Sequence, residues 1–592
     1  MIHINFSYRA IRMPLKKGVI NSFSGIFVIL ILLCFPFVMQ AQTLAFPGAE
    51  GYGSYAEGGR GGEILTVTNL NDDGPGSLRE AINHPDPRII VFEVAGVISL
   101  TSPLEITDPY ITIAGQTAPP PGITIRGEQT EIKTNHIIIR FIRFRPGDYN
   151  DRVEGENNWD AVDAVDIGLR DSDEVHDIIF DHCSFSWATD ENIGIWHNTR
   201  NLTIQNSIIS EPLHLFPEHN LASSTGKGML IGWLSNNISI IKNLFAHNYN
   251  RHPYMNANGH LDFRNNLIYN PGDAVVRFNN HQGILQTVNV VNNLIIPGPN
   301  STFENEVNVR RTTIGIYNGE IHIDGNISQG KNSSNRDNWL MVVNEETRST
   351  FTREVQSIDP FETINTETVS ARELPRLLTP YVGAFLPQRD QIDNRIIDDF
   401  TNRSGKLISK PSDVLGWPKT DPVNRSIDPF NQWQTTYNID FSNPDEANAD
   451  YNNNGYTNIE EFLNGTDPLN DESDKVIRDI YPPSMGPSTA STGQFSIMDS
   501  NQQSSEGFAL NNNYPNPFNS STNFHVSIYE TGDYKLEIFN TAGQKVTTIL
   551  NRRLLPGEYE TRWDANGLSS GVYFVRLTSA DKADTGKIIL IK

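Results

Sequence analysis

The sequence predicts an all-β protein: a right-handed parallel β-helix followed by a small C-terminal β-sandwich. Short apolar strands in pairs recur between residues 43 and 335, as in "IIFDHCSFS", "LTIQNSIIS" and "LDFRNNLIYN". The long amphipathic helices that an α/β fold needs between its strands do not occur in this stretch. Residues 511–592 instead alternate apolar and polar positions between turn signals, which is typical of a β-sandwich.

Residues 1–42 have the layout of a secretory signal peptide. Basic residues that include Arg12 precede the apolar run "GIFVILILLCFPFVM", which "QAQ" follows, and cleavage is expected after Ala41. A membrane anchor would need about 20 apolar residues, and this run is shorter. Of the two cysteines of the chain, only Cys183 remains after cleavage. The exported protein therefore has no intrachain disulfide, and its stability must come from packing.

The recurring unit places a turn residue between its two strands. Aligning the units gives six turn residues: His182, Asn206, Asn243, Asn266, Asn293 and Asn326. An asparagine can adopt the left-handed backbone of a tight turn, and its amide can bond the asparagine of the next coil. We therefore predict a parallel β-helix of residues 43–335 with an asparagine ladder. The segment "SLREAINH" predicts one short helix that caps the first coil.

The C-terminal third divides into four segments. Residues 336–440 are Pro-rich and predict loops and short segments along the flank of the β-helix. Residues 441–470 include "DYNNNGYTNIEE", which matches a calcium-binding loop. Residues 471–510 are a Ser/Gly/Pro/Gln linker, and residues 511–592 form the sandwich. The predicted calcium ligands of the loop are Asp450, Asn452, Asn454, the Tyr456 carbonyl, Asn458 and Glu461.

The charge of the chain limits its partners. The net charge is -24 and the pI is about 5.0, which argues against a nucleic-acid partner bound through a basic face. An acidic polymer could bind only through a local basic patch or a bridging cation.

Four sets of charged residues fall in consecutive coils of the predicted β-helix. Residues far apart in sequence align on one face of such a stack, so early acids and later cations could face each other across a groove. Each set alone is more typical of solvated turns, and only their shared position favours a site. The sets are Asp160, Asp163 and Asp166; Asp181, Asp190 and Glu191; Lys227; and Arg251.

Several motifs together resemble the pectate lyases of polysaccharide lyase family 1. They are "AFPGAEGYGSYAEGGRGGEILTVTNLNDDGPGSLREAI", "ITIAGQTAPPPGITIRG", "DHCSFSWATDEN" and "NLFAHNYNRHPYMN", and they cover roughly residues 44–330. The resemblance implies a secreted Ca²⁺-dependent enzyme that cleaves polygalacturonate, an acidic plant cell-wall polysaccharide, by β-elimination.

The resemblance also implies roles for individual residues. "IIFDH" makes Asp181 a calcium ligand and "TDENIGI" makes Asp190 the second, whereas the third acid of the family falls on Gly194. Glu191 is the expected substitute, with Asp163 and Asp166 as further metal ligands of the groove. "GKGMLIG" gives Lys227 a substrate-binding and catalytic role.

The motif "RHP" resembles the start of the family's Arg-x-Pro-x-x-Arg motif and makes Arg251 the residue that removes the proton. The second arginine of that motif falls on Asn256, so Arg264 of the next coil is a candidate for the missing substrate contact. A guanidinium is protonated under ordinary conditions, so this role predicts an alkaline optimum. If Arg251 only stabilises charge, Lys227 or a calcium-bound hydroxide is the alternative base.

The C-terminal sandwich, which starts at "YPNPFN" and ends in "GKIILIK", resembles the sorting domains of bacterial type IX secretion cargo. The resemblance implies export by that machinery, removal of the domain, and a secreted or cell-surface location. A carbohydrate-binding module is the alternative, although few aromatic residues suit a sugar platform. We expect a monomer.

Two other functions remain open from the sequence. An inverting polygalacturonase, also a parallel β-helix, would use Asp160, Asp163 and Asp166 around a water molecule. A non-catalytic surface adhesin would use the β-helix only as a spacer.

Overall fold

A computed structural model of the chain describes most of its residues after position 41. The described ranges are 42–148, 162–168, 174–214, 226–279, 285–310, 318–330, 337–345, 347, 349–418, 423–424, 429–475, 508–510, 518–528, 532–541, 544–554, 557–565, 567–579 and 582–590. The predicted signal peptide, Asp160 and most of the predicted linker lie outside these residues.

The β-helix is built from 29 short strands of the described chain. They are β1 Glu63–Val67, β2 Arg88–Phe92, β3 Val94–Ser99, β4 Leu104–Ile106, β5 Ile111–Ala114, β6 Ile123–Arg126, β7 Thr130–Ile132, β8 Ile137–Arg140, β9 Ile142–Phe144, β10 Val165–Ile167, β11 Val175–Asp181, β12 Ser184–Ser186, β13 Glu191–Ile195, β14 Thr199–Gln205, β15 Ile208–Ser210, β16 Lys227–Ile231, β17 Asn236–Ile241, β18 Leu244–Ala246, β19 Tyr254–Met255, β20 Gly259–Arg264, β21 Leu267–Tyr269, β22 Val276–Asn279, β23 Gln286–Val291, β24 Leu294–Ile296, β25 Val307–Arg310, β26 Gly319–Asp324, β27 Ile327–Ser328, β28 Val342–Asn344 and β29 Val423–Asn424.

Each coil visits three sheets in turn. Sheet 1 runs in the order β1-β2-β5-β8-β11-β14-β17-β20-β23-β26, sheet 2 in the order β3-β6-β9-β12-β15-β18-β21-β24-β27, and sheet 3 in the order β4-β7-β10-β13-β16-β19-β22-β25-β28. Neighbouring strands within each are parallel, and only β29 joins antiparallel, against β3. Three stacked parallel sheets make this a parallel β-helix, which confirms the predicted fold class.

The core of the β-helix is a column of apolar side chains from all three sheets. Fully buried members include Ile139 and Phe180 from sheet 1 and Ile193 from sheet 3, while Phe144 and Phe185 of sheet 2 stack with ring centroids 5.4 Å apart. Because alternate residues of a strand point to opposite faces, the residues between these core positions face outward.

The asparagine ladder is present, but its first two members were misaligned by one residue. Asn243 Nδ2 donates to Asn266 Oδ1 at 3.1 Å, Asn266 to Asn293 at 3.0 Å, and Asn293 to Asn326 at 2.9 Å. In the two preceding coils the ladder passes through Cys183 and Ser207, not through His182 and Asn206. The reason is that each turn uses two successive residues. The first takes the left-handed backbone, with φ between 50 and 58°, and the second makes the ladder hydrogen bond. The first residues are His182, Asn206, Lys242, Asn265 and Asn292.

Six helices flank or cap the coils in the described chain: α1 Leu78–Ile82, α2 Leu374–Leu378, α3 Gln391–Asn402, α4 Pro429–Tyr437, α5 Pro444–Ala447 and α6 Asn458–Asn464. Helix α1 begins at the predicted place, where Ser77 caps it by accepting a hydrogen bond from Glu80 N–H. Helix α3 was not predicted; Asp390 caps it, and Ile396 and Phe400 pack on sheet 2. Residues 336–440 are therefore partly helical rather than only loops. None of these helices is both long and apolar enough to cross a bilayer.

The C-terminal region folds into two antiparallel sheets. Their strands are β30 Phe508–Leu510, β31 Ser521–Ile528, β32 Gly532–Asn540, β33 Lys545–Leu554, β34 Gly557–Asp564, β35 Gly571–Ser579 and β36 Lys582–Leu590. The sheets run β30-β31-β34 and β33-β32-β35-β36. Phe524 of the first and Leu536 of the second belong to one buried cluster, so the two sheets form a sandwich, as predicted.

Candidate functional site

The candidate site lies on sheet 3, where the chain enters the strands β10, β13, β16 and β19. Glu191, the first residue of β13, lies opposite Lys227, the first residue of β16. Asp163 precedes β10, and Arg251 precedes β19 with a left-handed backbone (φ 65°). Parallel stacking therefore brings residues from four coils together. We call Asp163, Asp166, Asp190, Glu191, Lys227 and Arg251 the sheet 3 cluster.

Three carboxylates of the cluster converge. Ligand oxygens of Asp163, Asp190 and Glu191 all lie within 4.8 Å of one another. Asp163 Oδ1 also accepts a hydrogen bond of 2.9 Å from the Glu191 backbone N–H, which fixes its orientation. Glu191 is 2% exposed and Asp163 8% exposed. Buried carboxylates this close repel each other unless positive charge lies between or beside them.

Gly194 explains how a fourth carboxylate approaches. A Cβ atom at this position would clash with Asp163 Oδ2 and would lie 3.0 Å from Asp166 Oδ1. The absence of a side chain therefore leaves a gap that the carboxylates of the preceding coil face. Asp166 Oδ1 is buried in that gap and has no hydrogen-bond partner among the described residues. The carboxylates nearest to position 194 thus come from the coil before it.

Two cations complete the cluster. Lys227 Nζ pairs with Asp190 and lies 3.8 Å from Glu191 Oε1, and Arg251 pairs with the same Glu191 oxygen. The guanidinium of Arg251 lies 5.4 Å from the ring centroid of Tyr254, and that of Arg277 lies 5.7 Å from it. Tyr254 therefore positions Arg251 by a cation–π contact.

The pKa values show the electrostatic imbalance. Burial, followed by the charges of Asp190 and Asp166, raises the pKa of Asp163 well above its ordinary value. Burial, followed by the charge of Glu131, raises the pKa of Asp166 to about 7. Burial lowers the pKa of the Arg251 guanidinium below its ordinary value. Four carboxylates against two cations make a site that favours additional positive charge.

Comparisons with known proteins identify the enzyme family. The protein named probable pectate lyase C from Aspergillus terreus is 31% identical over 444 residues, which cover 72% of this chain and 95% of that protein. The protein of the same name from Aspergillus flavus is 32% identical over 64% of this chain and 82% of its own length. This chain belongs to the pectate lyase family. The lyase is thus a polysaccharide lyase, and neither the hydrolase nor the adhesin alternative is supported.

Two further comparisons concern a solved structure and the C-terminal region of the lyase. Pectate lyase II from Xanthomonas campestris has a solved structure that aligns with a TM-score of 0.35, at 13% identity, over 58% of this chain and 100% of that one. Residues 512–592 match the family described as the secretion system C-terminal sorting domain. The predicted identity of the C-terminal sandwich is confirmed, and the lyase is a secreted or surface protein.

The structure of the lyase does not bring Asp181 to the sheet 3 cluster. Asp181 ends β11 in sheet 1 and is completely buried. Its carboxylate pairs with Arg140 Nε at 2.9 Å and His182 Nδ1 at 2.8 Å, and it accepts hydrogen bonds from Gln205 and Asn206. Asp181 therefore does not lie beside Asp190: the two residues are on different sheets, and the partners of Asp181 already satisfy its carboxylate.

Arg264 is also placed elsewhere than predicted. It ends β20 in sheet 1, where its guanidinium holds Asp262 at 2.6 Å and Thr368 at 2.8 Å. Asn256 does lie on sheet 3, directly after β19, and its buried Oδ1 has no hydrogen-bond partner in the described chain. Arg264 thus does not supply the missing contact, whereas Arg277 of β22, which lies opposite Tyr254, is a nearer cation.

Sequence reasoning missed Tyr254 and Arg277. Tyr254 follows Arg251 by three residues, and Arg277 pairs with it in the next coil. The signal was the alternation within "RHPYM" and "AVVRFN", which puts Tyr254 and Arg277 outward while Met255 and Phe278 join the core. Placing the two residues side by side requires the register between β19 and β22, which cannot be derived from the sequence alone.

In the predicted calcium loop of residues 450–461, two asparagine side chains contact the same carboxylate. The Asn452 and Asn454 amides donate to the same Glu461 Oε1, at 2.9 and 2.8 Å. Gly455, with φ 95°, makes the sharp turn and donates its N–H to Asp450 Oδ2 at 2.9 Å. Glu461 is 1% exposed, and burial raises the pKa of its carboxyl group. Asp450, Asn452, Asn454 and Glu461 thus lie together at this turn.

Proposed function

We propose that the lyase cleaves polygalacturonate by β-elimination to unsaturated oligogalacturonides and needs Ca²⁺ held by the sheet 3 cluster. Pectate lyases are generally calcium-dependent. The observation that carries the proposal is the convergence of Asp163, Asp190 and Glu191 within 4.8 Å beside Lys227 and Arg251. Asp181 is not among the proposed calcium ligands, because Arg140 already neutralises its carboxylate.

The donor set suits calcium. Ca²⁺ prefers six to eight oxygen ligands in flexible geometry, and the cluster offers carboxylate oxygens alone. Asp166 Oδ1 faces the gap at Gly194 without a partner, so it is available as a further oxygen. Asp163, Asp190 and Glu191, with Asp166 beside them, would hold the ion. A calcium ion held there would supply positive charge that stabilises the negative charge developing on a uronate carboxyl group.

The cations of the chain act on the substrate at the same place. The proton to be removed is on the carbon next to the uronate carboxyl group, and it is only weakly acidic. Lys227 provides positive charge where negative charge develops on that carboxyl group. Arg251, buried against Tyr254, removes the proton in this proposal, and its burial disfavours the charged guanidinium. If Arg251 serves only to stabilise charge, Lys227 is the remaining base.

The test is the ultraviolet absorbance of the conjugated product, followed with the full secreted chain. We expect a rise with polygalacturonate and Ca²⁺, none in excess chelator, and recovery when calcium is restored. Asp163→Asn and Glu191→Gln should abolish the rise, whereas Glu320→Gln, an exposed acid on sheet 1, should not. Unchanged activity in chelator, or in both cluster variants, would contradict the proposal. New reducing ends without absorbance would indicate a hydrolase.

We also propose a second calcium site at Asp450, Asn452, Asn454, the Tyr456 carbonyl and Glu461. The loop leads into α6, which packs on sheet 1, and Glu460 of α6 pairs with Arg60 at 2.9 Å. An ion there would hold this helix against the coils. Calorimetric titration with Ca²⁺ should show two sites; Glu461→Gln should remove one without loss of activity, and Asp163→Asn should remove the other.

Export by the type IX machinery and a monomeric state complete the proposal. The sorting-domain match over residues 512–592 supports export. Deleting residues 511–592 should keep the lyase in the cell fraction instead of the medium, which fractionation and activity assays would detect. Light scattering of the secreted protein should give the mass of one chain.

A further inference from the structure

Away from the sheet 3 cluster, a second column of side chains runs along the corner where the chain enters sheet 1. Its members all have a left-handed backbone, with φ between 50 and 59°, and each precedes or begins the paired part of a sheet 1 strand. Because these strands are stacked in parallel, each member lies beside the next. We call this set the corner column: Tyr110, His136, Asp177, Asn201 and Asn237.

Contacts along the corner column hold its middle members in place. Asn237 Nδ2 donates to Asn201 Oδ1 at 3.1 Å, and Asn201 Nδ2 donates to Asp177 Oδ1 at 3.0 Å. From the other side, the Tyr110 ring stacks on the His136 ring, with centroids 4.7 Å apart and planes 6° apart. The carboxylate of Asp177 is thus oriented through Oδ1, which leaves Oδ2 facing the histidines.

Three metal-binding groups meet at this point. His136, His176 and Asp177 each offer one ligand atom, and these atoms lie within 4.8 Å of one another. Asp177 Oδ2 is 2.7 Å from His176 Nδ1 and 3.7 Å from His136 Nε2. The three side chains are 14 to 23% exposed, so an ion can reach them from solvent. Two imidazole nitrogens and a carboxylate oxygen are ligands typical of zinc, with water in the fourth position.

The spacing of the donors suits a zinc ion. Zinc bonds of about 2.0–2.2 Å in tetrahedral geometry place two ligand atoms roughly 3.3 Å apart. The measured separations of 2.7 and 3.7 Å lie on either side of this value, so small side-chain rotations suffice. The backbone already fixes the two histidines relative to each other, because His136 N–H donates to the His176 carbonyl at 3.1 Å.

Zinc would displace one proton from each imidazole. His176 Nδ1 donates its proton to Asp177, and His136 Nδ1 accepts from Glu57 N–H at 3.4 Å, which puts the His136 proton on Nε2. Metal binding to histidine releases such protons. Binding through His136 Nε2 moves the ring proton to Nδ1, so the contact with Glu57 has to give way. That contact is at the long limit of a hydrogen bond, and Glu57 is exposed.

The charges around the three ligands permit a cation. Arg200 lies opposite His176 in the next coil, but its Nε is paired with Glu174 at 2.7 Å. This pair carries no net charge, and Asp177 adds a negative one.

The position of the ligands in the chain gives the ion a structural role. Between His136 and His176 the chain makes one complete coil through β8, β9 and β10, and this coil carries Asp163 and Asp166. An ion bound at both ends would close the coil into a loop. Such a cross-link stabilises a fold by restricting the unfolded chain, as a disulfide does. Only Cys183 remains after cleavage of the predicted signal peptide, so no disulfide can do this.

We propose that His136, His176 and Asp177 form a zinc site that ties together the two ends of the coil carrying Asp163 and Asp166. This site lies on sheet 1 and is separate from both proposed calcium sites. It does not depend on the proposed reaction.

The test is calorimetric titration of the full secreted chain with zinc chloride, in excess calcium so that both proposed calcium sites are filled. We expect one zinc ion per chain with a Kd below about 10 µM. Zinc at about 100 times this Kd should raise the melting temperature by about 2–5 °C. His176→Gln and Asp177→Asn should each weaken binding at least about tenfold and remove this rise.

The matched control is His84→Gln. His84 is also partly exposed and lies 3.5 Å from a carboxylate oxygen of Glu63, but it belongs to no three-ligand group among the described residues. It should change neither the zinc affinity nor the melting temperature.

Weaker binding by the unaltered chain, tight binding that persists in either variant, or binding without a rise in melting temperature would overturn the proposal. Should the variants fail to fold, cobalt titration of the unaltered chain decides. Cobalt in the site should give the visible absorption of a four-coordinate ion, and a spectrum like that of hydrated cobalt would overturn the site. Failure to cleave polygalacturonate would contradict the proposed reaction and leave these measurements unaffected.

Discussion

Two groups of acids and arginines lie under the surface of the lyase, and their electrostatics are opposite. Beside helix α3, Arg145 binds Asp390 at 2.5 Å and Asp393 at 2.6 Å, with Arg143 close by. Two acids meet two arginines there. In the sheet 3 cluster, four carboxylates meet only two cations.

The pKa shifts follow this difference. Burial would raise the pKa of Asp390, but the charges of Arg145 and Arg143 outweigh it and hold the pKa below its ordinary value. For Asp163 burial and like charges act together, so its pKa rises. In these two groups the direction of the pKa shift therefore follows the balance between acids and cations.

The largest effect should come from breaking the balanced group. Arg145→Met leaves Asp390 and Asp393 buried with less compensation, so the free energy of unfolding should fall by about 3–5 kcal/mol. Denaturant titration measures it. Arg200→Met breaks a half-exposed pair with Glu174 and should cost less than about 1 kcal/mol. Equal costs would show that burial does not distinguish the two pairs.

Removing a cation from the sheet 3 cluster should act mainly on activity. Arg251→Ala should lower kcat about 10²- to 10⁴-fold, as loss of a general base does, and should also lower the free energy of unfolding because Glu191 loses its buried ion-pair partner. Arg264→Lys is the control, because Arg264 is bound to Asp262 on sheet 1 and should not affect kcat. A comparable loss of kcat in Arg264→Lys would reinstate it as a substrate contact.

Acid should reduce the stability that comes from the buried ion pair of Asp181. The charges of His182 and Arg140 outweigh burial and lower the pKa of Asp181, so its ion pair stabilises the fold above about pH 4 and loses that contribution as the pH falls. Unfolding free energies between about pH 2 and 5 should decline less steeply for Asp181→Asn than for the unaltered protein. Parallel curves would mean that Asp181 does not contribute.

The smallest expected effect is an increase in the free energy of unfolding. Without calcium, Asp163→Asn removes a carboxylate that is repelled by its neighbours, so the free energy of unfolding should rise by about 1 kcal/mol. With calcium the order should reverse, because only the unaltered enzyme binds the ion and is stabilised by it. Thermal melts in chelator and in calcium measure both. A loss of stability in chelator would show that Asp163 is structurally required.

The fold was predictable because its signals are local. Strand alternation and the turn asparagines need no knowledge of distant contacts, and Asn243, Asn266 and Asn293 took the places that their pattern indicated. Helix α3 could have been found from Asp390 and the spacing of Ile392, Ile396 and Phe400. It was missed because the neighbouring segments are irregular.

The site was only partly predictable, because it depends on which sheet each residue enters. Asp181 and Asp190 are nine residues apart, yet β12 and two corners of the coil separate them, so one is a buried ion-pair partner and the other a member of the cluster. The role of Gly194 was also hidden. A missing side chain is a gap only when the register shows that Asp163 and Asp166 face it.

The ladder has a consequence for how this fold can change over time. Between β17 and β18, β20 and β21, and β23 and β24, the corner is always two residues long, since one takes the left-handed backbone and the next carries the amide chain. The other two corners vary in length. Within the coils that carry the ladder, insertions are therefore better tolerated at those two, one leading onto sheet 3 and one leaving it. Between β5 and β6, before the ladder begins, the same corner is eight residues long. The ladder thus directs diversification of this enzyme to the surroundings of its reactive surface, while the corner that it occupies keeps its length.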